Sequence, residues 1–291
     1  MKVERNYIWI AAMVVMLVVA VVIPLFKSYS SVFSKEQTES ECILRVVNNK
    51  IMLGDICIYE FIPVNGGLPM LGIERSMNYI ENNDTVKTIE YSIHRSYIYS
   101  FLLGETEVTQ QLWDCVMPVE VQHLDLAYNK RPVREKSYQE WEEFIQRLEF
   151  MTGRTFRVPN IDEWEFAARG GHLSKGYIYS GSNDVEEVAY YKGNTMKSYA
   201  KDGIYLVANK KPNELGFFDM SGGVSEFVFS HIKDVNPLTA DLWRYAINSN
   251  KSGFQPMLTR GGDYNSEANE CKMVFPASVS IKAGLRLVLE H

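Results

Sequence analysis

The chain has 291 residues, a formal net charge of −6 and an isoelectric point near 5.5. That acidic balance, without any stripe of clustered Lys and Arg, argues against nucleic acid as a partner, because phosphate contacts need concentrated positive charge. Once an apolar N-terminal run and a polar tail are set aside, about 250 residues remain, enough for one large domain or two small ones.

Residues Tyr7 to Phe26 carry no charge. As a helix they would span about 30 Å, the thickness of a bilayer core. Lys2 and Arg5 precede the run and Lys27 follows it. The expectation is a short cytoplasmic N-terminus (1–6), a transmembrane signal anchor (7–26), a Ser-rich linker (27–41) and a domain (42–291) on the periplasmic or extracytoplasmic side of a bacterial inner membrane, spanned once. A cleaved signal peptide is the competing reading; the length of the run and the lack of an Ala-x-Ala site favour the anchor.

Ile43–Val47 and Ile51–Phe61 read as strands around a turn at Asn48 and Asn49. Met70 to Thr88 reads as loop, and Thr88 to Leu103 as strands. Three helices follow. Thr109 caps a short one over Gln110–Met117, which Pro118 ends. Ser137 opens a longer one, with Glu140 completing a capping box, apolar residues at Trp141, Phe144, Ile145, Leu148 and Met151, and Gly153 as terminator. Asn160 and Glu163 form a second capping box. These acids are read as caps rather than catalysts. From Gly176 onward the text is short strand-like pieces broken by Gly, Asn, Asp and Pro. The pattern is α+β and loop-rich.

The four cysteines, Cys42, Cys57, Cys115 and Cys271, form no CxxC pair, and the five histidines form no HExxH motif, so zinc and histidine-bound iron have little support. Cys42 and Cys57 flank the Asn48-Asn49 turn; a disulfide between them and four free thiols remain open alternatives. Asp219 and Glu226 bracket a Gly222-Gly223 turn. Such a turn can aim carboxylates and carbonyls at one point, as a hard cation requires, and an ordinary turn with two solvated acids is the other reading.

Four ordered blocks then resemble the formylglycine-generating enzyme, or sulfatase-modifying factor, domain family. They are Glu107-Val108-Thr109 with Trp113; Arg131-Pro132-Val133, and Thr152-Gly153-Arg154 through Arg157-Val158-Pro159 to Glu163-Trp164-Glu165 and Gly170-Gly171; Asn213 through Asp219-Met220-Ser221-Gly222 to Glu226; and Arg260-Gly261-Gly262 with Gly284-Leu285-Arg286. The resemblance covers roughly residues 59 to 289 and implies a C-type-lectin-like α+β fold. It also implies a calcium site built by Asp219, Gly222, Val224 and Glu226, and a second one near Asn194 and Asp202. The family's Gly-Asn-Val-Trp-Glu-Trp reads Gly222-Gly223-Val224-Ser225-Glu226-Phe227 here, so both Trp are missing.

The oxidases of this family bind Cu(I) through two cysteines, whose positions fall on Ser266 and Cys271. One thiolate and one hydroxyl do not make a two-sulfur copper site. Copper and the formation of formylglycine are therefore not expected. The expectation is a membrane-anchored pseudoenzyme that binds or scaffolds a protein partner in the cell envelope. The alternatives are a divergent oxidase acting on a cysteine of a sulfatase-type protein, and a lectin-like receptor displaying Tyr264, Asn265, Ser266, Asn269 and Glu270.

Overall fold

The structure, a computed structural model, describes residues 43–72, 75–81, 85–91, 93–118, 126–195, 205–229, 257–274 and 278–290. The expected membrane anchor at 7–26, the linker, Cys42 and Asp202 lie outside these. Among the described residues no helix is long and apolar enough to cross a membrane.

The first strand, β1 (Leu44–Val47), turns into β2 (Lys50–Leu53) through Asn48 and Asn49, whose φ values of 46° and 62° place both in the left-handed region that Asn tolerates. A second turn at Gly54 leads into β3 (Ile56–Val64), so the strand expected over 51–61 is two strands. Cys57, on β3, is a free thiol. The loop expected over 70–88 is instead strand: β4 (Met70–Leu71), β5 (Arg75–Glu81) and β6 (Thr85–Tyr91), with β5 and β6 paired antiparallel from Arg75↔Tyr91 to Glu81↔Thr85. Cross-strand hydrogen bonds stabilise this polar stretch, and no single-strand periodicity reveals them. Then come β7 (His94–Arg95) and β8 (Phe101–Gly104).

The helices form where their caps dictate. Thr109 accepts from Leu112 N–H at the head of α1 (Gln110–Val116). After α2 (Leu126–Asn129) and β9 (Lys136–Ser137), Ser137 and Glu140 close a reciprocal capping box on α3 (Tyr138–Thr152), and Gly153 at φ 64° ends it with an N–H to the Glu149 carbonyl. Past β10 (Phe156–Arg157), Asn160 and Glu163 do the same for α4 (Ile161–Ala168), with Arg157 bound bidentate to Glu163. The acids Glu140 and Glu163 are thus caps. Two single turns follow, α5 (Val185–Val188) and α6 (Lys192–Thr195). The last third holds β11 (Glu226–Val228), β12 (Met257–Arg260), β13 (Ser278–Ser280), β14 (Lys282–Ala283) and β15 (Val288–Leu289).

The main sheet runs β1-β2-β3-β8-β15-β10 with every neighbouring pair antiparallel, and β11-β12-β13 make a second sheet. Both faces of the main sheet are covered. On β8, Leu102 packs into one apolar cluster and Leu103 into the other; on β15, Leu289 and Val288 divide the same way. Period-two side-chain alternation sends neighbours to opposite faces. One cluster is built on α1 and α3, where Trp113 stacks on Phe144 and meets Trp141 edge-on at 4.9 Å between ring centroids. The other is built on α4 through Trp164 and Phe166, against Phe217, Met220 and Val228. The strands that carry the last sequence blocks therefore end between two packed layers.

Candidate functional site

The Asp219–Glu226 loop lies in the protein interior, not on the surface. Asp219 is 4% exposed, Glu226 1% and Arg286 0%. Arg286, at the end of the chain, donates from Nε and from a terminal nitrogen to the Glu226 carboxylate, the shortest contact being 2.8 Å, and also donates to the carbonyls of Gly104 and Phe218. Trp164 Nε1 donates to Glu226 as well, at 2.7 Å. Glu226 is thus an ion-pair partner that ties α4, β8 and the chain's end together.

The structure adds a residue to this site that the spacing did not single out. Glu107, just before α1, is completely buried, and Tyr205 donates its hydroxyl to Oε1 at 3.0 Å. Asp219 Oδ2 accepts from Ala208 N–H at 2.7 Å. The remaining oxygens, Glu107 Oε2 and Asp219 Oδ1, are buried without a hydrogen-bond partner. Burial, and then the charge of Asp219, push Glu107 well above the usual carboxylate range. Burial likewise lifts Asp219 to about 6, despite the Ala208 N–H and Arg286. Three buried carboxylates lie in the field of one guanidinium, which is bonded to Glu226, so burial favours the protonated forms of Glu107 and Asp219. Two bare carboxylate oxygens fit a hard cation such as calcium. Among the described residues no three His, Cys, Asp or Glu side chains gather closely enough to hold a metal alone, so carbonyls such as those expected of Gly222 and Val224 would have to complete the shell. Asn194 is engaged in capping its own turn: its Oδ1 accepts from Tyr191 N–H and its Nδ2 donates to Glu186 and the Ala189 carbonyl.

Ser266 and Cys271 occupy different environments. Ser266 Oγ accepts from Asp263 N–H at 3.0 Å and donates to Asp263 Oδ1 at 3.2 Å. Cys271 is fully buried beside Tyr179, Val188 and Ala189; burial, then the charges of Asp263 and Glu270, push its thiol up to about 12. Burial of this kind keeps a thiol from reacting as a free thiolate. Ser266 instead lines a cavity of about 210 Å³, together with Ser225, Arg260 and Asp263. Arg260 is bound to Glu165, and Arg169 binds the same carboxylate. Burial would raise Glu165, but the two guanidiniums outweigh it and hold it below the usual range. Among the residues of the proposed display surface, Asn265 and Asn269 are exposed and Tyr264, Ser266 and Glu270 half-buried.

Residues 58–291 match the family model for the sulfatase-modifying factor enzyme 1-like domain. The chain belongs to this family. Among characterised proteins, the chaperone protein LppX of Paenibacillus barcinonensis is 30% identical over an alignment of 151 residues, with coverage of 46% of this chain and 49% of that protein; the chain spans about half the length of this relative. The fold is shared with the Treponema denticola variable protein 1 (TM-score 0.57, 20% identity, 80% of this chain and 95% of that one). It is shared equally with CarF (TM-score 0.55, 19% identity, 80% and 98%). PvdO from Pseudomonas aeruginosa also has it (TM-score 0.53, 15% identity, 87% and 100%).

Within the sulfatase-modifying factor family pattern, this chain's departures now have places. Phe227, at the second missing Trp, is buried in the core against Tyr138. Gly223, where the pattern has Asn, has φ 74°, and a Cβ there would lie 2.6 Å from the Tyr205 hydroxyl and 3.0 Å from Glu107 Oε1. Ser225 and Ser266, at the other missing Trp and the missing Cys, line one and the same cavity.

Proposed function

We propose that this sulfatase-modifying factor domain is a non-catalytic binding module that holds a protein partner at the cell envelope. The observation that carries this reading is the pairing of Ser266, whose hydroxyl is engaged with Asp263, with a fully buried Cys271. Cu(I) chemistry in this family's oxidases uses two thiolates, and this chain offers one sulfur at the matching positions. The name of the LppX relative, a chaperone protein, supports a role in binding another protein. The uncharged run at 7–26 supports an anchor that keeps the module at the membrane. Calcium at Asp219, with Glu107 as a further ligand and Gly222, Val224 and Glu226 around it, would neutralise the buried carboxylates and hold the loop.

The test is to supply the purified chain with Cu(I), oxygen and a sulfatase-type Cys peptide. No formylglycine is expected, and product formed by the unaltered chain would overturn the non-catalytic reading. Ser266→Cys measures how far copper binding can be restored: failure of the variant to hold copper removes the divergent-oxidase alternative.

A further inference from the structure

We infer that the cavity behind Ser225 and Ser266 is a binding site for a primary ammonium group, carried by a small amine or by a lysine side chain. This rests on the binding-module reading and gives that module a ligand chemistry. The cavity, about 210 Å³, has room for several heavy atoms. Two positions that depart from the family's large Trp and soft Cys meet in it as hydroxyl-bearing residues, so the space and the change in chemistry have one origin.

The lining chooses among ligands. No aliphatic or aromatic side chain lines the cavity among the described residues, so it offers nothing to an apolar ligand and no ring for a sugar to stack on. Thr259, Ser278 and Ser280 add hydroxyls to those of Ser225 and Ser266, and Glu270 adds a second carboxylate to that of Asp263. The cation on the wall, Arg260, is bound to Glu165, which is 3% exposed, and is held over the Trp164 ring. Glu165, which Arg169 shares, offsets part of its charge, and on the cavity wall the carboxylates of Asp263 and Glu270 outnumber this one cation. An anion is repelled there. An ammonium group brings three N–H donors and a positive charge, which hydroxyl and carboxylate oxygens satisfy together.

The experiment is calorimetric titration of the full chain with n-butylamine, with Nα-acetyl-lysine methylamide, with its Nε-acetylated counterpart and with glycerol. Both amines should bind, more weakly at high salt, while the acetylated compound and glycerol should not. Tighter binding of the lysine compound assigns the site to a protein lysine; equal binding assigns it to a small amine. Asp263→Asn and Glu270→Gln keep the acceptor oxygens that cap Asn265 and Glu267 but lose the charge, and each should weaken binding at least about tenfold. Ser225→Trp should abolish binding by filling the space. Amines that do not bind, glycerol that binds as well, or neutral variants with unchanged affinity would each overturn the assignment. None of these results bears on the copper-and-peptide assay, so the two readings fail separately.

Discussion

Arg286 and Glu226 lie 60 residues apart in sequence and form an ion pair at 2.8 Å with both side chains out of solvent. Burial alone would lower Arg286, but Glu226 more than offsets it and raises its pKa. Removing one partner leaves the other as an uncompensated buried charge, so Arg286→Met should cost about 3–5 kcal/mol. The double variant Arg286→Met/Glu226→Leu should recover part of that loss, which urea unfolding of the three proteins would read.

Gly223 is the point where the polar cluster leaves no room for a side chain. Installing the family's residue, Gly223→Asn, places a Cβ against Tyr205 and Glu107 and should destabilise by about 1–3 kcal/mol. In a Tyr205→Phe background the clash with the hydroxyl is gone, and the same substitution should cost measurably less. Equal costs in the two backgrounds would show that the crowding is unimportant.

Asp219 makes stability depend on pH. Its folded pKa of about 6 lies above the unfolded value of about 3.9, so the folded state binds the extra proton. The sign follows: in metal-free buffer this group favours the folded state most below about pH 4 and loses that effect as pH rises to about 6, by up to about 3 kcal/mol. Asp219→Asn should flatten this part of the curve relative to the unaltered chain, as followed by thermal unfolding at pH 4, 5 and 6.

Calcium should act on the same two bare oxygens. If Glu107 and Asp219 hold it, saturating calcium raises stability at pH 7 by about 2.7 kcal/mol at one hundred times the dissociation constant. That gain should vanish in Glu107→Gln and in Asp219→Ala, and metal analysis of the purified proteins should show the ion in the unaltered chain alone. A melting temperature insensitive to both calcium and chelator would remove the metal from this loop.

Cys271 should resist chemistry that Cys57 accepts. It is fully buried with its thiol near 12, whereas Cys57 is exposed. Iodoacetamide at pH 8 followed by peptide mass spectrometry should find Cys57 alkylated while Cys271 stays unmodified in the folded chain.

Local signals were legible where the chemistry is local. Ser137 with Glu140, Asn160 with Glu163, and Gly153 mark helix ends because a cap is satisfied within four residues. The β5–β6 hairpin was not legible, since its hydrogen bonds come from a partner strand rather than from its own pattern. Glu107 belongs to the first motif block, yet nothing in its own neighbourhood shows that Tyr205, nearly one hundred positions away, folds over it. A buried acid in a motif block is the kind of signal that could have drawn it into the site.

By itself the sequence determined the α+β pattern, the capped helices and the family, because each rests on residue identity and short spacing. Tertiary structure alone decided that Glu226 belongs first to Arg286, that Glu107 joins Asp219, and that Ser225 and Ser266 face one cavity. Those relationships join residues from 41 to 112 positions apart through packing of two layers on a shared sheet, and no local preference encodes a contact that only the closed core creates.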